Sequence, residues 1–280
     1  MTRGGVLITG VSTGIGAAVL RELVAGGFRV FGTVRRSKDM PAVEAAGATP
    51  IIMDVTQRTS IQRAQETVAR ALDAAPFVGL VNNAGVPGAG ALEVLDVDEF
   101  RRVFEVNVFG VIATTQLFLP ALRAARGRVV NISSVAARLA LPFSGPYTAS
   151  KWALEAISDT LRRELLETGV DVVVVQPASI QSAIWEKIEG LEPARYERTV
   201  YERAIARATV MARRSGERGL PAETVARAVL RALTDPKPPT RILVTKEAAW
   251  KRKLLSLIPD RWIDRMIRRR IFGPDDGRGL

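Results

Sequence analysis

The chain has 280 residues, 47% of them hydrophobic, a formal net charge of +11, and neither histidine nor cysteine. That length suits one large core with an appendage rather than two equal domains. The missing residue types exclude disulfides, thiol nucleophiles, thiolate metal sites, a zinc-dependent dehydrogenase and a Ser-His-Asp hydrolase. They fit a reducing, cytoplasmic setting, while the positive charge admits an anionic partner.

The opening stretch MTRGGVLITGVSTGIG reads as no secretory leader, because glycines follow an apolar run of four residues. No window reads as the roughly 18 apolar residues of a membrane span. Short Val/Ile-rich runs predict strands at Gly5–Thr9, Arg29–Val34, Pro50–Met53, Val78–Asn82, Arg128–Ile132, Val170–Gln176 and Arg241–Val244. Several show little alternation, as strands buried on both faces should. Helical patterns lie between them at Ile15–Ala25, Ile61–Ala74, Phe100–Ala124, Tyr147–Glu167 and Ala222–Thr234. The alternation predicts an α/β doubly wound domain with a parallel sheet over residues 1–245. Residues 183–216 are too long for a simple loop, and residues 246–280 follow the last strand as a basic extension.

The first strand runs into ITGVSTGIG, with Gly10, Gly14 and Gly16 around Ser12, Thr13 and Ile15. Glycines there let the backbone approach a pyrophosphate, and the helix N-terminus presents free N–H groups to it; an ordinary glycine turn is the plainer alternative. An NAD site wants a carboxylate at the end of the second strand. Here Arg35 and Arg36 follow Val34, which suits the 2′-phosphate of NADP, although Asp39 lies nearby. Asp54 and Val55 end the third strand, where the Asp side chain can meet the adenine amine. Asn82, Asn83, Ala84 and Gly85 end the fourth, where the amides either satisfy strand backbones or touch a ribose.

The helix beginning near residue 147 carries Tyr147 and Lys151 on one face. A nearby ammonium favours phenolate and should lower the tyrosine pKa, so the pair supplies acid–base chemistry in a chain without histidine. Ser134, at the end of the fifth strand, is placed to donate to a substrate oxygen, with Ser133 as competitor. Asn107 is a polar residue in an apolar helix, either a satisfied core amide or a water anchor feeding protons to Lys151. The 183–216 insertion carries an apolar set including Ile184, Trp185, Tyr196, Tyr201, Ile205 and Met211, which suits docked helices, a substrate lid, or both, opposite a wall of Leu139, Leu141 and Phe143.

Segment 246–272 holds nine Lys/Arg against three Asp/Glu, a net +6 interleaved with Trp250, Trp262, Met266 and Phe272. Pro259 should divide it into two short helices. It reads as a peripheral membrane or partner surface, or else as helices packed over the pocket. No nucleic-acid motif accompanies the charge.

In the order TGVSTGIG (9–16), DV (54–55), NNAG (82–85), Asn107, SS (133–134) and YTASK (147–151), the sequence resembles the short-chain dehydrogenase/reductase family. The resemblance runs from about residue 4 to residue 245, and its central stretch is most similar to the retinol and 17β-hydroxysteroid dehydrogenase branch. It implies a single Rossmann domain with a seven-stranded parallel sheet and helices on both faces. It further implies a homodimer or homotetramer through the helices at 100–124 and 147–167. Tyr147 would be the acid–base, Lys151 would bind the nicotinamide ribose, Ser134 would orient the substrate oxygen, and Asn107 would complete a proton relay. Residues 177–182 look like the nicotinamide loop, with Pro177 opening it and Ile180 and Ser182 on the carboxamide. Ala178 stands there for the usual glycine. Thr13 occupies the place of a basic residue common in NADP members, which leaves Arg35 to carry that preference. The implied activity is NADP-dependent hydride transfer to or from a lipophilic alcohol or carbonyl. A catalytically silent cofactor sensor, or a membrane-docked binding protein, is the alternative.

Overall fold

The computed structural model describes residues 3–181, 193–246 and 258–273. In β1 (Gly5–Ile8), Val6 and Ile8 face one helical layer and Leu7 the other, all three fully buried. A strand covered on both faces needs apolar residues at every position, which is why the pattern shows no alternation. The same holds for β2 (Arg29–Val34), β4 (Phe77–Asn82), β5 (Arg128–Ile132) and β6 (Asp171–Pro177). With β3 (Thr49–Ile52) and β7 (Arg241–Val244) they form a parallel seven-stranded sheet in the order β3-β2-β1-β4-β5-β6-β7. The chain leaves β3 on one edge and re-enters beside β1. The loops after β1 and β4 therefore diverge at that point, and a crevice opens above the strand ends.

One layer holds α1 (Gly14–Ala25), α2 (Met40–Ala45) and α8 (Ala222–Thr234), whose Leu20, Leu23, Val43, Val225 and Val229 pack with Val6 and Ile8. The other holds α3 (Arg58–Leu72), α5 (Gly110–Ala125) and α6 (Gly145–Glu164), with Ile61, Val68, Phe118 and Leu122 packed around Leu7 and Leu80. Most expected elements begin or end within three residues of the observed ones. Helix α2 escaped the sequence reading because six residues make too short a periodic signal.

The helix expected at Phe100–Ala124 is α4 (Val97–Phe104), a widened π turn at Glu105–Phe109, and α5. Its start is set by Asp96, whose carboxylate accepts the Asp98 N–H at 2.9 Å. By length and composition alone, Val97–Ala125 is apolar enough to cross a membrane, contrary to the sequence expectation. Val111, Phe118 and Leu122 are buried in the protein, which accounts for that character.

In the insertion at 183–216 the described part forms a 3-10 turn at Pro193–Tyr196 and α7 (Glu202–Glu217). Ile184, Trp185 and Ser182 lie outside the described residues. Beyond Pro259 the tail forms α9 (Asp260–Ile267) and a wide turn, Arg268–Phe272; Trp250 lies outside the described residues. A satellite core joins Ala89, Ala91, Phe143, Tyr196, Ile205 and Ile271, so the described part of the tail packs onto the body. Its outer face leaves Trp262, Met266 and Phe272 exposed.

Candidate active site

The crevice measures about 1140 Å³ and runs from the glycine turn across the ends of β4 and β5 to α7 and α9. Its first half is built from backbone. Gly10 and Gly14 adopt positive φ, +70° and +58°, which an L side chain resists. A Cβ on Gly16 would collide with the Gly10 carbonyl and the Asn83 amide. The turn is fastened to both neighbouring strands. Asn83 Nδ2 donates to the Thr9 and Gly10 carbonyls, each at 2.9 Å, and Thr9 Oγ1 accepts from the N–H groups of Asn83 and Ala84. On the other side the Gly10 N–H donates to Thr33 Oγ1 at 3.2 Å. No side chain caps the start of α1, so its first N–H groups face the crevice beside Ser12, Thr13 and Ile15.

Three sequence candidates change place or meaning. Asn82 does not line the crevice: it is buried, and its amide donates to Thr115 Oγ1 and Asn131 Oδ1. Successive strand residues point to opposite sides, and the inward one serves the core. Arg36 also lies off the crevice. It pairs with Asp39 at 3.1 Å, which occupies that carboxylate as well, and Arg35 alone reaches the lining. Asp54 and Val55 do line it. Asp54 Oδ1 is taken by the Thr56 N–H and hydroxyl, and Val55 packs where a side chain on Gly110 would stand.

The second half is built from side chains. Helix α6 starts at Gly145–Pro146 over the end of β5, so Tyr147 and Lys151 overlook Ser134. The Ser134 side chain hydrogen-bonds Tyr147 and also accepts the Ala136 N–H at 3.1 Å, capping a 3-10 turn at Val135–Ala137. Ser133 is buried, and its hydroxyl has no partner among the described residues; Ser134 is the serine joined to the tyrosine. Lys151 Nζ donates to the Ile132 carbonyl at 2.9 Å and stands 5.6 Å from the Tyr147 ring centre.

Burial pushes the Lys151 ammonium down to about 8, with the Glu155 carboxylate one turn below pulling the other way. The tyrosine departs from the sequence expectation. Burial holds Tyr147 above the ordinary phenol range, and the Ser134 hydrogen bond offsets only part of that. The protein by itself therefore keeps the phenol protonated.

Asn107 is buried in the π turn. Its Oδ1 accepts the Val86 N–H at 2.8 Å, and its Nδ2 donates to the Val86 carbonyl and to Ser150 Oγ. Ser150 in turn donates to the Tyr147 carbonyl at 2.7 Å. The amide side chain thus locks the loop after Gly85 to the turn that carries Tyr147. Ser150, Glu155 and Gln176 were missed by the sequence reading. Glu155 accepts from Gln176 Nε2 at 2.8 Å and from Arg241 Nε at 2.9 Å, and Gln176 lines the crevice. No local motif links positions so far apart in the chain.

After β6, Pro177, Ala178 and Ile180 line the same crevice. Ala178 keeps an ordinary negative-φ backbone and donates to the Val244 carbonyl at 2.8 Å, so the usual glycine is not required there. Ile180 is buried in the core as well. The far wall consists of Leu139, Leu141, Phe143, Met211, Ile263 and Ile271, so α7 and the tail both close the crevice.

The family model for short chain dehydrogenases matches residues 5–192. An NADPH-dependent 3-dehydrocapnine reductase from Ornithobacterium rhinotracheale is 35% identical over 93% of this chain and 94% of its own. Human retinol dehydrogenase 5 is 39% identical over 67% of this chain and 59% of its own. A solved short-chain dehydrogenase from Streptomyces avermitilis superposes with a TM-score of 0.77 at 29% identity, covering 96% of each chain. The chain is thus an oxidoreductase that belongs to the short-chain dehydrogenase family, with a retinol dehydrogenase-like relationship.

Proposed function

We propose that the chain carries out NADPH-dependent reduction of a lipophilic ketone or aldehyde, and the reverse oxidation. One observation carries this reading: a protonated phenol, a serine hydroxyl and a buried ammonium converge where the glycine cradle meets an apolar wall. The cradle suits a dinucleotide, because Gly10 and Gly14 turn the backbone at positive φ and the uncapped start of α1 leaves N–H groups free beside them. Gly10, Gly14 and Gly16 would hold the pyrophosphate, Asp54 and Val55 the adenine, and Ala84, Gly85, Pro177, Ile180 and Ser182 the nicotinamide end. Arg35 supports NADP over NAD, since it lines the crevice at the β2 end and Asp39 is paired elsewhere.

NADPH, when bound, supplies the hydride. Ser134 donates a hydrogen bond to the substrate oxygen and draws the carbonyl toward Tyr147. As negative charge develops on that oxygen, Tyr147 gives up its proton to it, yielding the alcohol and a phenolate. The Lys151 ammonium stabilises the phenolate, fixed in place by the Ile132 carbonyl. Asn107 holds the backbone around Tyr147 through Ser150. Exposed Phe109 on the outer side of the α4–α5 element supports assembly as a homodimer or homotetramer.

A second reading concerns the tail. Exposed Trp262 and Met266, with Arg265 beside the Trp262 ring, favour contact with an anionic membrane surface. Flotation of the full chain with phosphatidylserine vesicles should exceed flotation of the Trp262→Ala/Met266→Ala variant several-fold; equal flotation would refute the contact.

Tyr147→Phe should lower kcat by about 10²–10⁴-fold with NADPH affinity unchanged, as read by steady-state kinetics and fluorescence titration. Arg35→Ala should weaken NADPH binding about tenfold and NADH binding hardly at all, because one charge-assisted contact is lost. Arg36→Ala should change neither. Carbonyl reduction should decline as pH rises through about 8, because Lys151 is an ammonium below that value and neutral above it. Glu155→Gln removes the charge that supports the ammonium, so this alkaline limb should move to lower pH. The same change should cost about 1–3 kcal/mol in chemical denaturation, with Arg241 still held by Asp159.

A further inference from the structure

Beyond the glycine turn the crevice is lined by small and apolar residues and by serines besides Ser134, among them Ser133, Ser144, Ser179 and Ser215. Four charged residues line the crevice among those described. Arg35 and Asp54 stand at the nucleotide end and Lys151 at the reacting centre. The fourth is Arg138, and on the substrate side it meets no carboxylate. It ends the 3-10 turn that Ser134 caps, so three residues separate it from the serine that would hold the substrate oxygen. Its backbone is fixed, the N–H donating to the Val135 carbonyl at 3.1 Å. On the other flank of this turn, the Trp152 indole N–H donates to the Ala136 carbonyl at 3.2 Å. The turn is thus braced from α6, and its exposed guanidinium stands at the lip, without an ion pair among the described residues.

Building on the proposed carbonyl reduction, we infer that Arg138 selects a substrate with a lipophilic body and an anionic group, carboxylate or sulfonate, a few bonds from the reacting carbonyl. A guanidinium can pair two of its N–H groups with two oxygens of either anion, and an apolar wall beside it weakens competition from water. The apolar residues of α7 and α9 would take the hydrocarbon portion, and no carboxylate on that side would repel the head. Arg138 is in this reading a specificity-determining residue; it takes no part in the proton or hydride transfer.

The test uses the full-length protein with NADPH and three probes of equal chain length: 4-oxododecanoate, its methyl ester, and 2-oxododecane-1-sulfonate. kcat/KM should favour the two anions over the ester by about tenfold, mainly through KM. Arg138→Gln should erase that difference, Arg138→Lys should restore part of it, and added salt should shrink it in the wild-type chain. The same contrast should appear in calorimetric binding of the probes, which requires no turnover. Binding preference without turnover would sink the catalytic reading and support this one. Turnover or binding of acid and ester alike, or an equal loss on both in Arg138→Gln, would overturn the role of Arg138.

Discussion

An ammonium buried at the centre of a protein has to be held by something, and much of this molecule is arranged around that need. Lys151 is only 5% exposed, and the desolvation it suffers would on its own favour the neutral amine. Three elements oppose that tendency. The end of β5 offers the Ile132 carbonyl, α6 offers Glu155 one turn away, and β7 offers Arg241, which ties the Glu155 carboxylate in place while Asp159 shares the guanidinium. A carboxylate clamped in this way is held close to the ammonium. The sheet edge thereby reaches Lys151 through a chain of charges.

The crevice divides by the kind of group that builds it. At the nucleotide end the work is done by backbone, made accessible by glycines and fastened by Thr9, Thr33 and Asn83. Backbone N–H groups cannot drift, which suits a ligand whose phosphates are the same for every substrate. At the centre, side chains take over, and each is held by a second residue: Tyr147 by Ser134, Lys151 by Ile132, and the loop after Gly85 by Asn107. Farther out, the walls come from α7 and α9, elements the sheet does not require. A fold divided in this way keeps its chemistry constant while the outer wall sets what enters.

Tyr147 shows how burial changes a simple charge argument. A lysine four residues away should by itself draw the phenol downward. Yet the ring is desolvated along with the lysine, and desolvation of the anion is the larger effect. A phenol kept protonated is a ready proton donor.

The order of strands and helices, the glycine turn and the Tyr–Lys pair were all legible in the sequence, because each rests on local periodicity or on spacing within one turn of helix. Choices between neighbours were not. Of Asn82 and Asn83, and of Arg35 and Arg36, only one lines the crevice, while Ser133 and Ser134 both line it and only Ser134 meets the tyrosine. Nothing local says which side holds the crevice. Likewise Glu155, Gln176 and Arg241 meet across three elements, and Ile271 reaches a cluster begun by Ala89. The sequence by itself determined a parallel doubly wound sheet and a tyrosine and lysine sharing one helix face, since these depend on nearest neighbours along the chain. Tertiary structure alone decided which asparagine and which arginine line the crevice, which serine meets the tyrosine, how burial sets the proton affinities, and that the described part of the basic tail closes the pocket, because these depend on groups brought together only when the layers pack.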